Sequence, residues 1–198
     1  MSVCALLMER SMGKALSDMT LEELWELFPI FLTEHKENWD AWYTEERERL
    51  AGLLPPEDLR ISHIGSTAIK GIWAKPIVDI LVEIPASLPM EGIREYLIQN
   101  GYRCMSEDRN RISFNRGYTN EGFAERVFHL HLRYAGDNDE LYFRDYMNDN
   151  PPLAKRYEEL KLSLWKEFEH NRDGYTLAKT DFIVEQTAKA KKFYGSRY

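Results

Sequence analysis

Residues 63–84 read HIGSTAIKGIWAKPIVDILVEI and hold the residue types best suited to phosphate chemistry. A strand that ends in Gly65 lets the backbone approach a phosphate closely. The Ser66 hydroxyl and the N–H groups that follow, through Thr67, can donate to its oxygens. With twelve residues intervening after Ser66, the chain reaches Asp79, a lone acid inside an apolar run. A carboxylate on the face of a returning strand is suited to hold a divalent ion beside that phosphate. Lys75 lies close to the turn and is the better cation candidate for the phosphate. Trp73, between turn and strand, suits either stacking on a base or a core or lid position. A turn of purely structural purpose is the competing reading, and the pairing with Asp79 is more specific than either part alone.

The elements that must position these groups follow from periodicity. Strands are expected at Arg60–Ile64 and Pro76–Ile84. In the second, Val78, Ile80, Val82 and Ile84 share an apolar face, while Asp79, Leu81 and Glu83 share the other. A helix near Met90–Gln99 stops at Asn100-Gly101. Two further strands follow. Ile112 and Phe114 oppose Arg111, Ser113 and Asn115 in one; Phe128, Leu130 and Leu132 oppose Val127, His129, His131 and Arg133 in the other. If the three polar faces are neighbours in one sheet, they form an open cleft rather than a second core.

Upstream, Thr20 and Glu23 have the spacing of a capping box that opens a short helix with Leu21, Leu24, Trp25 and Leu27 on one side, ended by Pro29. A short strand is expected at Ile30–Leu32, then a helix from about Asn38 to Leu54 whose Trp39, Trp42 and Tyr43 form a core stripe, ahead of Pro55-Pro56. Downstream, Asn150 is placed as an N-cap with Pro151 first in a helix carrying Leu153, Tyr157, Leu160, Leu164 and Phe168. A last helix is expected at about Tyr175–Phe193, after a break at Asp173-Gly174. The order of strands then helices indicates an α+β domain with a helical C-terminal lobe at about 138–195. The divisions expected are an N-terminal extension with a short helix at 1–28 and one domain at 29–198; Met12 and Met19 are alternative start positions.

Composition narrows the partners. The chain of 198 residues is 43% hydrophobic and 30% charged, with a net charge of −7. That balance argues against nucleic acid as the main partner, yet leaves room for a local basic pocket holding one phosphate group. The apolar stretch Val3–Met8 is too short for a signal sequence and no later run would span a bilayer, so a cytoplasmic protein is expected. Cys4 and Cys104 are far apart and read as free thiols.

The pattern of strand, Gly-Ser turn, strand and Asp resembles the signature of the nucleotidyltransferase superfamily. The fuller string HIGSTAIKGIWAKPIVDILV resembles the GrpB family within it, with further matches at HLHL (129–132), FRDYM (143–147), YEELKL (157–162) and YTLAKTDFI (175–183). The resemblance runs over about Ile30–Lys192. It implies a mixed β-sheet of nucleotidyltransferase type with helices packed on one face. It further implies Gly65 and Ser66 at a nucleotide triphosphate, and Asp79 as a ligand of divalent metal, Mg or Mn. Arg144, Lys161 and Lys179 lie in or beside the family matches and are candidates for the triphosphate oxygens. The second acid of the superfamily pattern falls on Leu81 in this chain. Glu83 is roughly 13 Å beyond Asp79 along the strand, too far to share its metal. His129 and His131, two apart on one strand face, are the replacements: with Asp79 they would make a divalent site that also suits Zn, or His131 would hydrogen-bond Asp79 and orient it. Three functions therefore stand: transfer of a nucleoside monophosphate to a small-molecule acceptor, with Asp79 and His131 catalytic; a nucleotide- or metabolite-binding module without transfer chemistry; and a metalloenzyme built on Asp79, His129 and His131.

Overall fold

The computed structural model describes residues 14–54 and 59–198. The Val3–Met8 stretch, Cys4, the Met12 start and Pro55-Pro56 lie outside the described residues. The chain folds as α1 (Leu21–Leu27), α2 (Asn38–Leu53), β1 (Arg60–Ile64), β2 (Ile77–Ile84), α3 (Met90–Gln99), β3 (Arg103–Asp108), β4 (Arg111–Thr119), β5 (Gly122–Tyr134), α4 (Asp139–Asp149), α5 (Pro151–Phe168), α6 (Arg172–Ala178) and α7 (Thr180–Tyr194). One five-stranded sheet runs in the order β1-β2-β5-β4-β3. Only β2 and β5 pair in parallel, so the sheet is mixed and the class is α+β.

The alternation in β2 sets the layers. Val78, Ile80, Val82 and Ile84 are fully buried with Phe128, Leu130 and Leu132 of β5 beneath Trp39 and Leu50 of α2 and Ile93 and Leu97 of α3. Each such side chain contributes about 1.5–3 kcal/mol by leaving water, which makes this face the main core. Trp39 is fully buried, whereas Trp42 and Tyr43 pack against that core from its edge. Tyr43 stacks on His63 at 4.8 Å and donates to the Ile61 carbonyl at 2.9 Å, which pins α2 over β1. The capping box forms, with Thr20 accepting from the Glu23 N–H and Glu23 accepting from the Thr20 N–H.

The three polar strand faces are neighbours, since Asp79 pairs with His129 and Leu81 with His131 across β2 and β5, and Asn115 and Ser113 of β4 pair with the same histidines. Most of this face is covered, not open. Leu81 is fully buried against Ile64 and Leu141, and at the far end Glu83 accepts from the Gly136 N–H and the Asn138 amide. The cleft is confined to the Asp79 end, where the helical lobe stands off from the sheet.

Four local expectations need correction. Ile30–Leu32 is not a strand: the isolated bridge nearby joins Thr33 to Ala74, and the Ile30 N–H donates to the Glu169 carbonyl. Arg103–Asp108 is a strand that periodicity does not reveal, because it is the sheet edge and almost wholly exposed. The last helix is two helices that meet at Lys179, and Asp173-Gly174 lies inside the first turn of α6, whose N–H at Gly174 is capped by Asn171. Asn150 stands at the N-cap of α5, but its side chain donates backward to the Tyr146 carbonyl and caps nothing.

Candidate functional site

Gly65 closes β1 with φ 72° and ψ −170°, a conformation essentially reserved for glycine. A Cβ placed there would lie 2.2 Å from Asp79 Oδ2 and 2.9 Å from Asp79 Cβ. The glycine is thus required twice, by its backbone angle and by the carboxylate packed against it. Ser66–Ala68 form a single 3-10 turn, tied to the helical lobe by Asn148, whose amide accepts from the Lys70 N–H and donates to the Ala68 carbonyl, both at 3.0 Å. Helix α5 fastens the loop that follows: Glu158 accepts from the Trp73 N–H, Lys155 donates to the Gly71 carbonyl and Lys161 to the Trp73 carbonyl. Replacing Asn148 by Ala removes both ties. The expected loss is about 1–2 kcal/mol of stability, readable as a lower denaturation midpoint with an unchanged slope.

Asp79 faces His129 across the parallel pair, with Oδ1 and Nδ1 3.1 Å apart. The carboxylate can only accept, so Nδ1 carries the proton. Nε2 then accepts from the Tyr118 hydroxyl at 2.9 Å, and the Arg172 guanidinium lies 3.4 Å from it. Burial pushes the imidazole down to about 4, so His129 is neutral at pH 7. Burial alone would raise the Asp79 carboxyl, but the hydrogen bond from His129, with His131 close by, outweighs it and holds the group well below the usual carboxylate range.

A cavity of about 630 Å³ opens between this sheet end and the lobe, within the range of about 300–1,000 Å³ usual for small-molecule sites. Its inner wall carries Gly65, Ser66, Asp79, Lys75, Lys161, Lys179 and Arg172. At its rim, Asp139 and Lys191 pair at 2.8 Å and Glu140 pairs with Arg133 at 3.3 Å, so these charges are spoken for. The inner wall therefore sets one carboxylate against three lysines and an arginine, in a chain that is acidic overall. The crowding shows in the lysines. Burial, with Arg172 and Lys179 beside it, pushes Lys75 down to about 7; burial and Lys179 push Lys161 down to about 7; burial, only partly offset by Asp79, pushes Lys179 down to about 8. The Tyr175 ring lies between two of them, 4.1 Å from Lys179 Nζ and 5.7 Å from Lys75 Nζ, and its buried hydroxyl has no partner among the described residues. The chemistry of such an array suits an anion with several charged oxygens.

Of the residues singled out from sequence, Gly65, Ser66, Lys75, Asp79, His129, Lys161 and Lys179 come together around this cavity. Four others do not. Thr67 is fully buried and donates to the Ile77 carbonyl at 3.2 Å, so it braces the turn from behind. Arg144 donates to the His63 carbonyl, Asp145 and the Tyr198 hydroxyl, outside the cavity wall. His131 stands 3.7 Å from Asp79 and it is His129 that hydrogen-bonds the acid, because His129 is the direct cross-strand partner. Trp73 contributes its backbone to α5 and does not line the cavity. Arg172, Tyr157 and Tyr175 line it unforeseen; the two tyrosines are the first residues of YEELKL and YTLAKTDFI, but nothing local marks Arg172, which precedes a turn-like Asp173-Gly174.

A divalent metal does not fit these residues. Among the described residues no group of three or more His, Cys, Asp or Glu side chains is placed to hold one. Both nitrogens of His129 are engaged, one of them facing a guanidinium, and the second-acid position is Leu81 in an apolar cluster. Asp79 has both His129 and His131 within 4 Å, at 3.1 and 3.7 Å, but His129 turns its Nδ1 proton to the acid, so the three do not present the set of ligands expected from spacing.

Comparison with known proteins agrees on family. The model of the GrpB protein family matches residues 29–189. The glutamate-rich protein GrpB of Alkalihalophilus pseudofirmus is 34% identical over 163 residues, covering 79% of this chain and 92% of that protein. The YqkA protein of Bacillus subtilis is 32% identical over 183 residues, covering 89% of this chain but 52% of its own length. The crystal structure of the conserved protein GrpB from Enterococcus faecalis superposes with a TM-score of 0.71 at 28% identity, over 83% of this chain and 99% of that one. The Cid1 poly(U) polymerase with MgGTP bound is more remote, with a TM-score of 0.42 at 16% identity over 72% of this chain and 44% of that one, a distance at which nothing about a site transfers. No helix among the described residues is long and apolar enough to cross a membrane.

Proposed function

The chain belongs to the GrpB family, and from that premise we propose that its cavity binds the phosphates of a nucleoside triphosphate with lysines in place of metal ions. The observation that carries this reading is the inner wall, where Lys75, Lys161, Lys179 and Arg172 converge beside the Gly65-Ser66 turn and only Asp79 opposes them. Charge-assisted hydrogen bonds from buried cations are the strong kind, and a ligand with three phosphate groups satisfies more of them than one with a single group. Asp79, held by His129, keeps Gly65 and the lysines in register and offers an acceptor to a ribose or acceptor hydroxyl. Of the three functions open from sequence, the binding module is favoured. With Leu81 where the superfamily has its second acid, a two-metal transfer of nucleoside monophosphate to a small-molecule acceptor lacks its ligands. A cytoplasmic location and a small-molecule partner go with this reading.

Calorimetric titration with ATP, ADP and AMP in the presence of a chelator tests it. Affinity is expected to fall in that order and to persist without metal. Absence of binding, or binding that needs added magnesium with pyrophosphate released, would overturn the reading in favour of metal-dependent transfer. Affinity is also expected to fall as pH rises through 7 to 8, where Lys75, Lys161 and Lys179 lose their protons. Because the anion favours the charged lysines, binding at pH 8 should take protons up, which titrations in buffers of different ionisation enthalpy measure directly.

A further inference from the structure

A second cavity, of about 1140 Å³, lies on the far side of Arg172 and Thr176, which belong to both walls. Its body is apolar: Leu21, Leu24, Trp25 and Phe28 of the N-terminal region face Met105, Tyr118 and Leu177. Leu177 is 75% exposed, Leu21 57% and Met105 49%, so the apolar rim stands in water. Charge at the same cavity is one-sided. Arg172 and Arg103 line it against a single acid, Asp173, and among the described residues neither arginine has a carboxylate within 4.0 Å. Among the described residues Arg172 hydrogen-bonds only the Tyr118 hydroxyl at 3.3 Å and His129 Nε2 at 3.4 Å, long contacts to neutral groups.

We propose that this cavity binds a small amphipathic carboxylate, its aromatic or acyl body among Leu24, Trp25, Phe28, Met105 and Leu177 and its carboxylate on Arg172 and Arg103. Guanidinium groups match carboxylates in a planar, two-pronged geometry, and apolar walls around such a fork select an amphipathic molecule over a free inorganic anion. The inference needs no nucleotide in the neighbouring cavity, although it shares Arg172 with the reading of that site.

Titration of the full chain with anilinonaphthalene sulfonate, an aromatic anion whose fluorescence rises in apolar surroundings, tests it. Saturable one-site binding is expected, displaced by decanoate but not by decanol. Leu177→Glu and Met105→Glu each place a negative charge at the exposed rim and should weaken the probe at least tenfold. Both positions tolerate a charge in the fold, which circular dichroism verifies. No saturable signal, equal binding to both variants, or displacement by decanol as effective as by decanoate would each overturn the proposal.

Discussion

Gly65→Ala is expected to abolish triphosphate binding and lower the melting temperature together. The residue holds φ 72° and ψ −170°, and an added Cβ would stand 2.2 Å from the Asp79 carboxylate. Rotating Asp79 away does not make room, because its own Cβ would still be 2.9 Å distant, so backbone must shift. Backbone strain of about 1–3 kcal/mol and overpacking of similar size add to roughly 2–6 kcal/mol. For a domain of this length that is a fall of roughly 10 °C, measurable by differential scanning calorimetry. The functional loss follows from geometry: displacing Asp79 breaks its bond to His129 and moves the turn away from Lys75. Unchanged melting and unchanged affinity in the variant would contradict the close packing of turn and acid.

The second large effect has opposite signs in stability and binding. Lys75→Met with Lys179→Met is expected to weaken ATP by more than about a hundredfold, since each charge-assisted contact contributes about 1.5–3 kcal/mol and neighbouring contacts are not fully additive. The same pair of changes should raise the melting temperature of the ligand-free protein at pH 7. Burial depresses both ammonium groups, so each charge is held at a cost that the methionines remove. The sign with pH follows. Between the depressed folded values of about 7 and 8 and the ordinary lysine range near 10.5, the unfolded chain holds protons that the folded chain has released. Stability of the native sequence therefore rises with pH across that window, while anion affinity falls through it. A ligand site maintained against stability gives this pair of opposite shifts; lysines with a merely structural role would lose stability on substitution. Thermal melts and titrations on one preparation read both.

Much of this architecture was legible in the chain. Strict alternation through Val78, Ile80, Val82 and Ile84 fixes one face of β2 in the core, and the Asp79 face follows from the same period. The pairing of Asp79 with His129 was not legible. Periodicity places His129 and His131 on one face equally, and only the parallel register of β2 with β5 sets His129 opposite the acid. Arg172 was invisible for a related reason: it reaches the cavity from the start of α6, more than ninety residues from Asp79, and its neighbours Asp173 and Gly174 read as a break. Lys179 was found by resemblance but placed within a helix, whereas it is the corner between α6 and α7 that turns its side chain over Tyr175. The edge strand Arg103–Asp108 lacked any signal because an exposed strand needs no apolar face. Leu81 carried the most information per residue. Its departure from the acid pattern, read in the sequence as a loss, is in the fold a buried contact with Ile64 and Leu141.

On the proposed reading, lysines and not metal ions receive a triphosphate beside the Gly65-Ser66 turn. A crystal structure of the protein with a non-hydrolysable ATP analogue, grown in the presence of a chelator, tests it most directly. The phosphates are expected within hydrogen-bonding distance of Lys75, Lys179 and Arg172, with Asp79 still on His129. Phosphates bridged to Asp79 through a metal scavenged from solution, or density for the analogue only outside this cavity, would contradict it.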